Sequence, residues 1–130
     1  MPVRLRWQDE SHTITRLEIT GRVSLDELFD VWRTEAQMQR EQPHPVYSLN
    51  IIENVTPTLM GANVKSMVAF ISENKPDNLQ LTVQAVPNTA IRRMLSIVAA
   101  GMPHRVALVH SVEEALRVIQ RDRTPNPTAK

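Results

Sequence analysis

The chain has no cysteine and only three glycines in 130 residues. The first absence excludes disulfides, thiolate nucleophiles, zinc–cysteine sites and iron–sulfur clusters. The second leaves little material for a phosphate-cradling loop: neither G-x-x-x-x-G-K nor G-x-G-x-x-G occurs, and G-x-S-x-G is missing as well. There is no excess of charge of one sign. Fifteen basic residues against fourteen acidic ones leave a net +1, which gives no electrostatic pull toward nucleic acid or an anionic membrane. No segment approaches the ~20 apolar residues of a membrane span, and "MPVRLRWQDE" has no apolar stretch of signal-peptide length. The expectation is a cytoplasmic protein with no nucleic-acid partner and no membrane insertion. Hydrophobic residues make up 42% and charged residues 22% of the chain, a balance that suits one ordinary globular domain.

Periodicity then assigns the elements. In "VRLRWQ", Val3, Leu5 and Trp7 alternate with Arg4, Arg6 and Gln8, the period of a half-buried strand. "DESH" is a polar turn and "TITRLEIT" a second strand, so the two predict an antiparallel hairpin. Ser24 followed by Glu27 is a capping box, with Val23 and Leu28 as its hydrophobic staple. Leu25, Leu28, Phe29, Trp32 and Ala36 share one face of the helix that follows, and Pro43 and Pro45 place its end near Gln42. "VYSLNII" is apolar at too many positions for a one-sided strand and predicts a central strand covered on both faces. Met60, Val64, Met67, Val68 and Ile71 mark a second helix, ended before Pro76. "LQLTVQAV" is a fourth strand. Asn88 caps a third helix, closed by Gly101 and Pro103. "RVALV" is a fifth strand, and Ser111 with Glu114 predicts a second capping box. The chain therefore reads as one α/β domain over residues 1–120, in the order β-β-α-β-α-β-α-β-α with a mixed five-stranded sheet. "RDRTPNPTAK", residues 121–130, reads as a disordered tail.

Three stretches resemble one known family. "LNIIENVTPT" resembles the central strand and following loop of STAS domains. "LQLTVQAVPNTAIRRMLSIV" is similar to their next strand and helix. "RVALVHSVEEALRVI" is similar to the closing strand, serine cap and "EEAL" helix. The chain thus resembles the STAS-like (SpoIIAA-like) proteins, which share the fold of the bacterial anti-sigma-factor antagonists. The resemblance runs over roughly residues 3–120, more by order of elements than by identity. It implies a regulatory, non-enzymatic domain. In the antagonists an aspartate ends the central strand and a phosphorylatable serine opens the next helix. Phosphate there adds roughly −2 charge where helix amides favour it, and so can recruit or eject a partner. In this chain Asn50 takes the aspartate's place, and the loop offers Asn54, Thr56 and Thr58 instead of the aspartate–serine pair; Ser66 lies further along.

Each candidate site has a plain structural alternative. Thr56 and Thr58 flank Pro57 and form either a phosphate-accepting loop or a proline turn with capping hydroxyls. His12, His44, His104 and His110 show no metal-ligand spacing, and no metal or cofactor is expected. His110 stands out because it follows a parallel strand at the edge where α/β ligand sites gather. Asp26, Glu27 and Asp30 cluster in the first turns of a helix, where its partial positive charge stabilises acids; Glu113 and Glu114 have the same explanation.

"MLSIVAAGM" is apolar around most of its perimeter, so it is covered on two sides, either within the domain or by a partner. Met94, Leu95, Val98 and Met102 are the residues of that candidate interface or apolar-ligand face. Two functions follow. The first is a non-enzymatic domain that binds a regulatory protein or itself as a homodimer, through the Asn54–Thr58 loop and the Met94–Val98 face. The second is a carrier for a small apolar ligand or lipid, held among Met60, Met67, Met94 and Met102. The STAS-like resemblance extends to lipid-transfer domains and implies the second reading too. An enzyme would need a catalytic set drawn from His110, Asn50 and the threonines, and their spacing suggests none.

Overall fold

Residues 3–54 and 64–123 are described by the structure, a computed structural model. The elements are β1 (Val3–Trp7), β2 (Ile14–Thr20), α1 (Leu25–Arg40), β3 (Val46–Glu53), α2 (Val64–Asn74), β4 (Leu79–Ala85), α3 (Thr89–Ala100), β5 (Arg105–Val109) and α4 (Val112–Arg123). They follow the expected order. The five strands lie side by side in chain order, β1 antiparallel to β2 and every other neighbour parallel.

That topology decides where the helices go. Three successive parallel connections step across the sheet in one direction, and connections of one hand then put α1, α2 and α3 on the same face. Their contacts agree: Leu28 of α1, Met67 of α2, and Ile91 and Leu95 of α3 share a core with Leu17, Ile19, Ile52 and Val86 of the sheet side. α4 follows the last strand and covers the other face, where Ala115 and Ile119 pack on Tyr47, Leu49, Leu81 and Val83. β3 is thereby buried at seven of its eight positions, as its unbroken apolar reading predicts. On its second face the β1–β2 hairpin exposes Arg4 and Arg6 but keeps Ile14 buried in the core shared with α4. There Arg4 and Arg16 pair with Glu18, at 3.8 and 3.0 Å.

The caps are formed with two revisions. At α1 the reciprocal box is complete: Glu27 N–H donates to Ser24 Oγ at 3.1 Å, and Ser24 N–H donates to Glu27 Oε1 at 3.0 Å. At α4 only half a box exists. Glu114 N–H donates to Ser111 Oγ at 3.1 Å, but the Glu114 carboxylate turns to His110 Nδ1, 3.1 Å away. Asn88 caps α3 by accepting from Ile91 N–H, and Gly101 closes it at φ −94°. Glycine is useful there for closeness rather than for a left-handed turn: a Cβ at Gly101 would stand 3.3 Å from Val68 Cγ2, where α2 meets the end of α3.

α4 also runs to Arg123, past the expected start of the tail at residue 121. Asp122 explains the extra turn, because it takes a two-pronged bond from Arg105 of β5 at 2.7 and 3.1 Å. That guanidinium, first as a hydrogen-bond donor, holds the Asp122 carboxyl below its ordinary range. Residues 124–130 of the expected tail lie outside the described residues. Among the described residues no helix is long and apolar enough to cross a membrane.

The sides of α3 are strongly unequal. Leu95 is 3% exposed and Ile97 is 65% exposed. Leu95→Ala should therefore cost about 2–5 kcal/mol in urea denaturation, while Ile97→Ala should stay within about 0.5 kcal/mol of the wild type. Equal losses would place both side chains in the core.

Candidate functional site

The inner face of the sheet is polar at its amino end and apolar at its carboxyl end. Register aligns Thr15 of β2 with Ser48 of β3, and Ser48 with Thr82 of β4; Asn50 and Gln84 face each other in the next row. One row further on, Ile19, Ile52 and Val86 belong to the apolar core. The hydroxyls and amides are thus side by side under α1 and α2, where water is scarce and each polar atom needs a partner.

α1 supplies several of those partners. Leu28, Trp32, Glu35 and Gln39 fall at i, i+4, i+7 and i+11, so an acid and an amide continue the inward stripe that Leu28 begins. Glu35 Oε2 accepts from Ser48 Oγ at 2.6 Å and from Thr15 Oγ1 at 2.8 Å. Gln39 Nε2 donates to Thr15 Oγ1 at 2.9 Å and more weakly toward Glu35 Oε2 at 3.5 Å. Ser48 Oγ also stands 3.1 Å from Asn50 Oδ1. Burial removes water from the carboxyl and raises its pKa above the ordinary 4.5, outweighing the Ser48 and Thr15 hydrogen bonds that act to lower it. Burial thus shifts the balance toward the neutral acid.

Next to this cluster is a cavity of about 80 Å³, bounded by α1, α2 and the sheet. Its floor includes Ser48, Asn50, Thr82 and Gln84; half-buried Trp32 and Phe70 form part of its walls. Phe70 stacks on Phe29 at 4.3 Å between ring centroids, and the Arg33 guanidinium lies 5.0 Å from the Phe70 centroid. At the β5 side His104 Nε2 is 2.8 Å from Thr82 Oγ1. Burial, followed by the nearby Lys75 charge, lowers the His104 pKa from 6.5 to about 4, so the ring is neutral at pH 7. Among the described residues, two buried polar atoms of residues lining this cavity have no hydrogen-bond partner: Gln84 Oε1 and His104 Nδ1.

The residues expected from the sequence are placed differently. Asn50 is not in a partner loop. It lies within β3 at 7% exposure, on the floor of the cavity. Asn54 ends that strand in the left-handed region at φ 55°, a conformation asparagine tolerates. Thr56, Thr58 and Met60 lie outside the described residues. Leu95 and Val98 point into the chain's own core at 3% and 5% exposure, so the surface that α3 presents is the opposite one, around Ile97. Met94 packs against that same core, and Met67 is within it. Met102 lines the cavity. His110 is exposed and held by Glu114, whereas His104 joins the buried set.

Thr15, Glu35, Gln39, Ser48, Thr82, Gln84 and His104 were not singled out from sequence. A signal did exist. Glu35 and Gln39 occupy an apolar stripe of α1, and Ser48–Asn50 and Thr82–Gln84 are polar pairs at i, i+2 inside otherwise apolar strands.

This geometry sits on a known architecture. The structure is similar to the crystal structure of an uncharacterised protein of the DUF3478 family from Shewanella loihica PV-4, described as having a SpoIIAA-like fold. The TM-score is 0.57 with 6% sequence identity, over 89% of this chain and 90% of that one. The fold is SpoIIAA-like. At that identity the likeness concerns the fold alone. No family model and no curated protein matches the sequence. Among the described residues no three His, Asp or Glu side chains stand together as metal ligands.

The two titratable groups have opposite linkage to pH. For Glu35 the folded pKa is raised, so the folded chain keeps a proton that the unfolded chain releases above about pH 4.5, and stability falls as pH rises from there. Glu35→Gln keeps an acceptor for Ser48 and Thr15 without that loss. Its stability gain over the wild type should grow as pH rises above about 4.5 in urea denaturation; a gain independent of pH would mean that the Glu35 pKa is not raised. For His104 the folded pKa is depressed, so stability is lost as pH falls from 6.5 toward 4. Its ring signals should titrate near pH 4 by NMR, and a midpoint near 6.5 would show an open, solvated ring.

Proposed function

We infer that the chain is a non-enzymatic regulatory domain of the STAS-like kind, which works by binding a protein partner or a second copy of itself. The observation that carries this reading is the state of the interior titratable groups. A general base works best with a pKa near the working pH. His104, lowered to about 4, is too weak a base for that, and Glu35 has one oxygen committed to Ser48, Thr15 and Gln39. These groups serve as a hydrogen-bonding frame. The SpoIIAA-like fold supports the same reading, since the resemblance to anti-sigma-factor antagonists implies action through protein contact.

The surface for such contact is the outer side of α3. Ile97 is the exposed large hydrophobic residue among those described, flanked one turn away by exposed Arg93 and Ala100. Burying an isoleucine against a partner contributes roughly 1.5–3 kcal/mol. A second reading, a small-ligand carrier, is favoured by the cavity beneath α1 and α2. At about 80 Å³ it suits a small group better than a lipid tail, since pockets for drug-sized ligands begin near ~300 Å³.

Native mass spectrometry separates these readings. A wild-type dimer that becomes monomeric in Ile97→Asp, with an unchanged circular dichroism spectrum, supports self-association through α3. A dimer that survives the substitution moves the interface elsewhere. A wild-type monomer removes the homodimer and leaves a heterologous partner.

A further inference from the structure

The small-ligand reading can be given a chemical class. Two residues that line the cavity each carry a buried polar atom with no hydrogen-bond partner among the described residues: Gln84 Oε1, an acceptor, and His104 Nδ1, a ring nitrogen. Buried polar atoms are almost always paired, because leaving one unpaired costs free energy. Two of them against one cavity mark a place where something else completes the bonding.

The surroundings restrict what that can be. Glu35, the acid on this wall, is already bonded to Ser48 and Thr15. The Lys75 ammonium stands on the α2 side and donates to the Pro76 carbonyl at 3.1 Å. An inserted cation would meet the Lys75 ammonium, and burial shifts the Glu35 carboxyl toward its neutral form. An inserted anion would meet the carbonyl oxygens of Gln84 and Asn50. Burying an unpaired charge is expensive in either case. A neutral group with a donor at one end and an acceptor at the other meets neither penalty. Its N–H would satisfy Gln84 Oε1. Its oxygen would face His104 and Lys75, and any apolar remainder would lie against Trp32 and Phe70.

We propose that the cavity between α1, α2 and the sheet is a binding site for a small neutral amide-type group, with Gln84 as its acceptor and His104 as its second polar contact. The proposal rests on the small-ligand reading, and one titration tests the two separately. The full chain, isotope-labelled, is titrated at pH 7 with N-methylacetamide, and in parallel with acetate and with methylammonium. The Gln84 side-chain amide, the Trp32 indole N–H and the His104 ring are followed by NMR.

The expected result is a saturable shift of all three probes with N-methylacetamide, and binding at least ten-fold weaker for each ion. Gln84→Leu should abolish saturation while leaving the melting temperature unchanged or higher, because it removes an unpaired buried acceptor. Saturable binding in which acetate or methylammonium matches or exceeds the amide overturns the amide assignment and leaves the small-ligand reading standing. No saturable shift with any of the three overturns both, and the cavity is then an internal water site. If Gln84→Leu does not fold, the wild-type ranking of the three probes decides.

Discussion

Ser48 Oγ donates to Glu35 Oε2 across the interior at 2.6 Å, and this bond joins the central strand to the first helix. β3 has neighbours on both sides and helices on both faces, so a hydroxyl placed on it cannot reach bulk water. The partner has to come from the covering helix. Glu35 provides it, and Thr15 and Gln39 complete a ring of bonds over β2, β3 and α1. Removing either end of such a bond leaves an unpaired polar group inside the protein, which costs more than the bond's net contribution. The position of α1 over the sheet is tied to that requirement.

The remaining polar residues of the same face are less fully paired, and this is where the fold leaves room. At the carboxyl end of the sheet, apolar side chains interdigitate and close the core. At the amino end the hydroxyls and amides of β3 and β4 lie beneath α2, and a cavity of about 80 Å³ remains. Ligand sites of parallel α/β sheets usually gather at the carboxyl ends of the strands. Here the cavity runs from the amino end of the sheet to the Asn50–Gln84 row, because the polar rows of β3 and β4 are aligned there by register. His110, at the carboxyl end of β5, is instead engaged with Glu114 on the surface.

Much of this was legible in the sequence. Strict alternation in the hairpin, the Ser24–Glu27 box, the unbroken apolar run of β3 and the Asn88 cap are local signals set by backbone geometry, and they yielded the element order, while the SpoIIAA-like fold was implied by the family resemblance. The site was less legible. Met94, Leu95 and Val98 form an apolar stripe whether a partner or the chain's own sheet covers them, so composition could not distinguish the two. Asn50 stood out as the counterpart of the antagonists' strand-end aspartate, grouped with the loop that follows, whereas the packing buries it within β3 against the cavity.

What the sequence determined by itself is the set of elements, their order and the caps that bound them, because each depends on residues within a few positions of one another. The tertiary structure decided which polar residues meet. Thr15, Glu35, Ser48 and Thr82 are far apart in the chain and come together only through parallel register and the placement of α1. Burial then decided their protonation: Glu35 is shifted toward the neutral acid and His104 toward the neutral ring because water has been removed from around each. Desolvation is a property of the packed interior, which no local pattern of residues encodes.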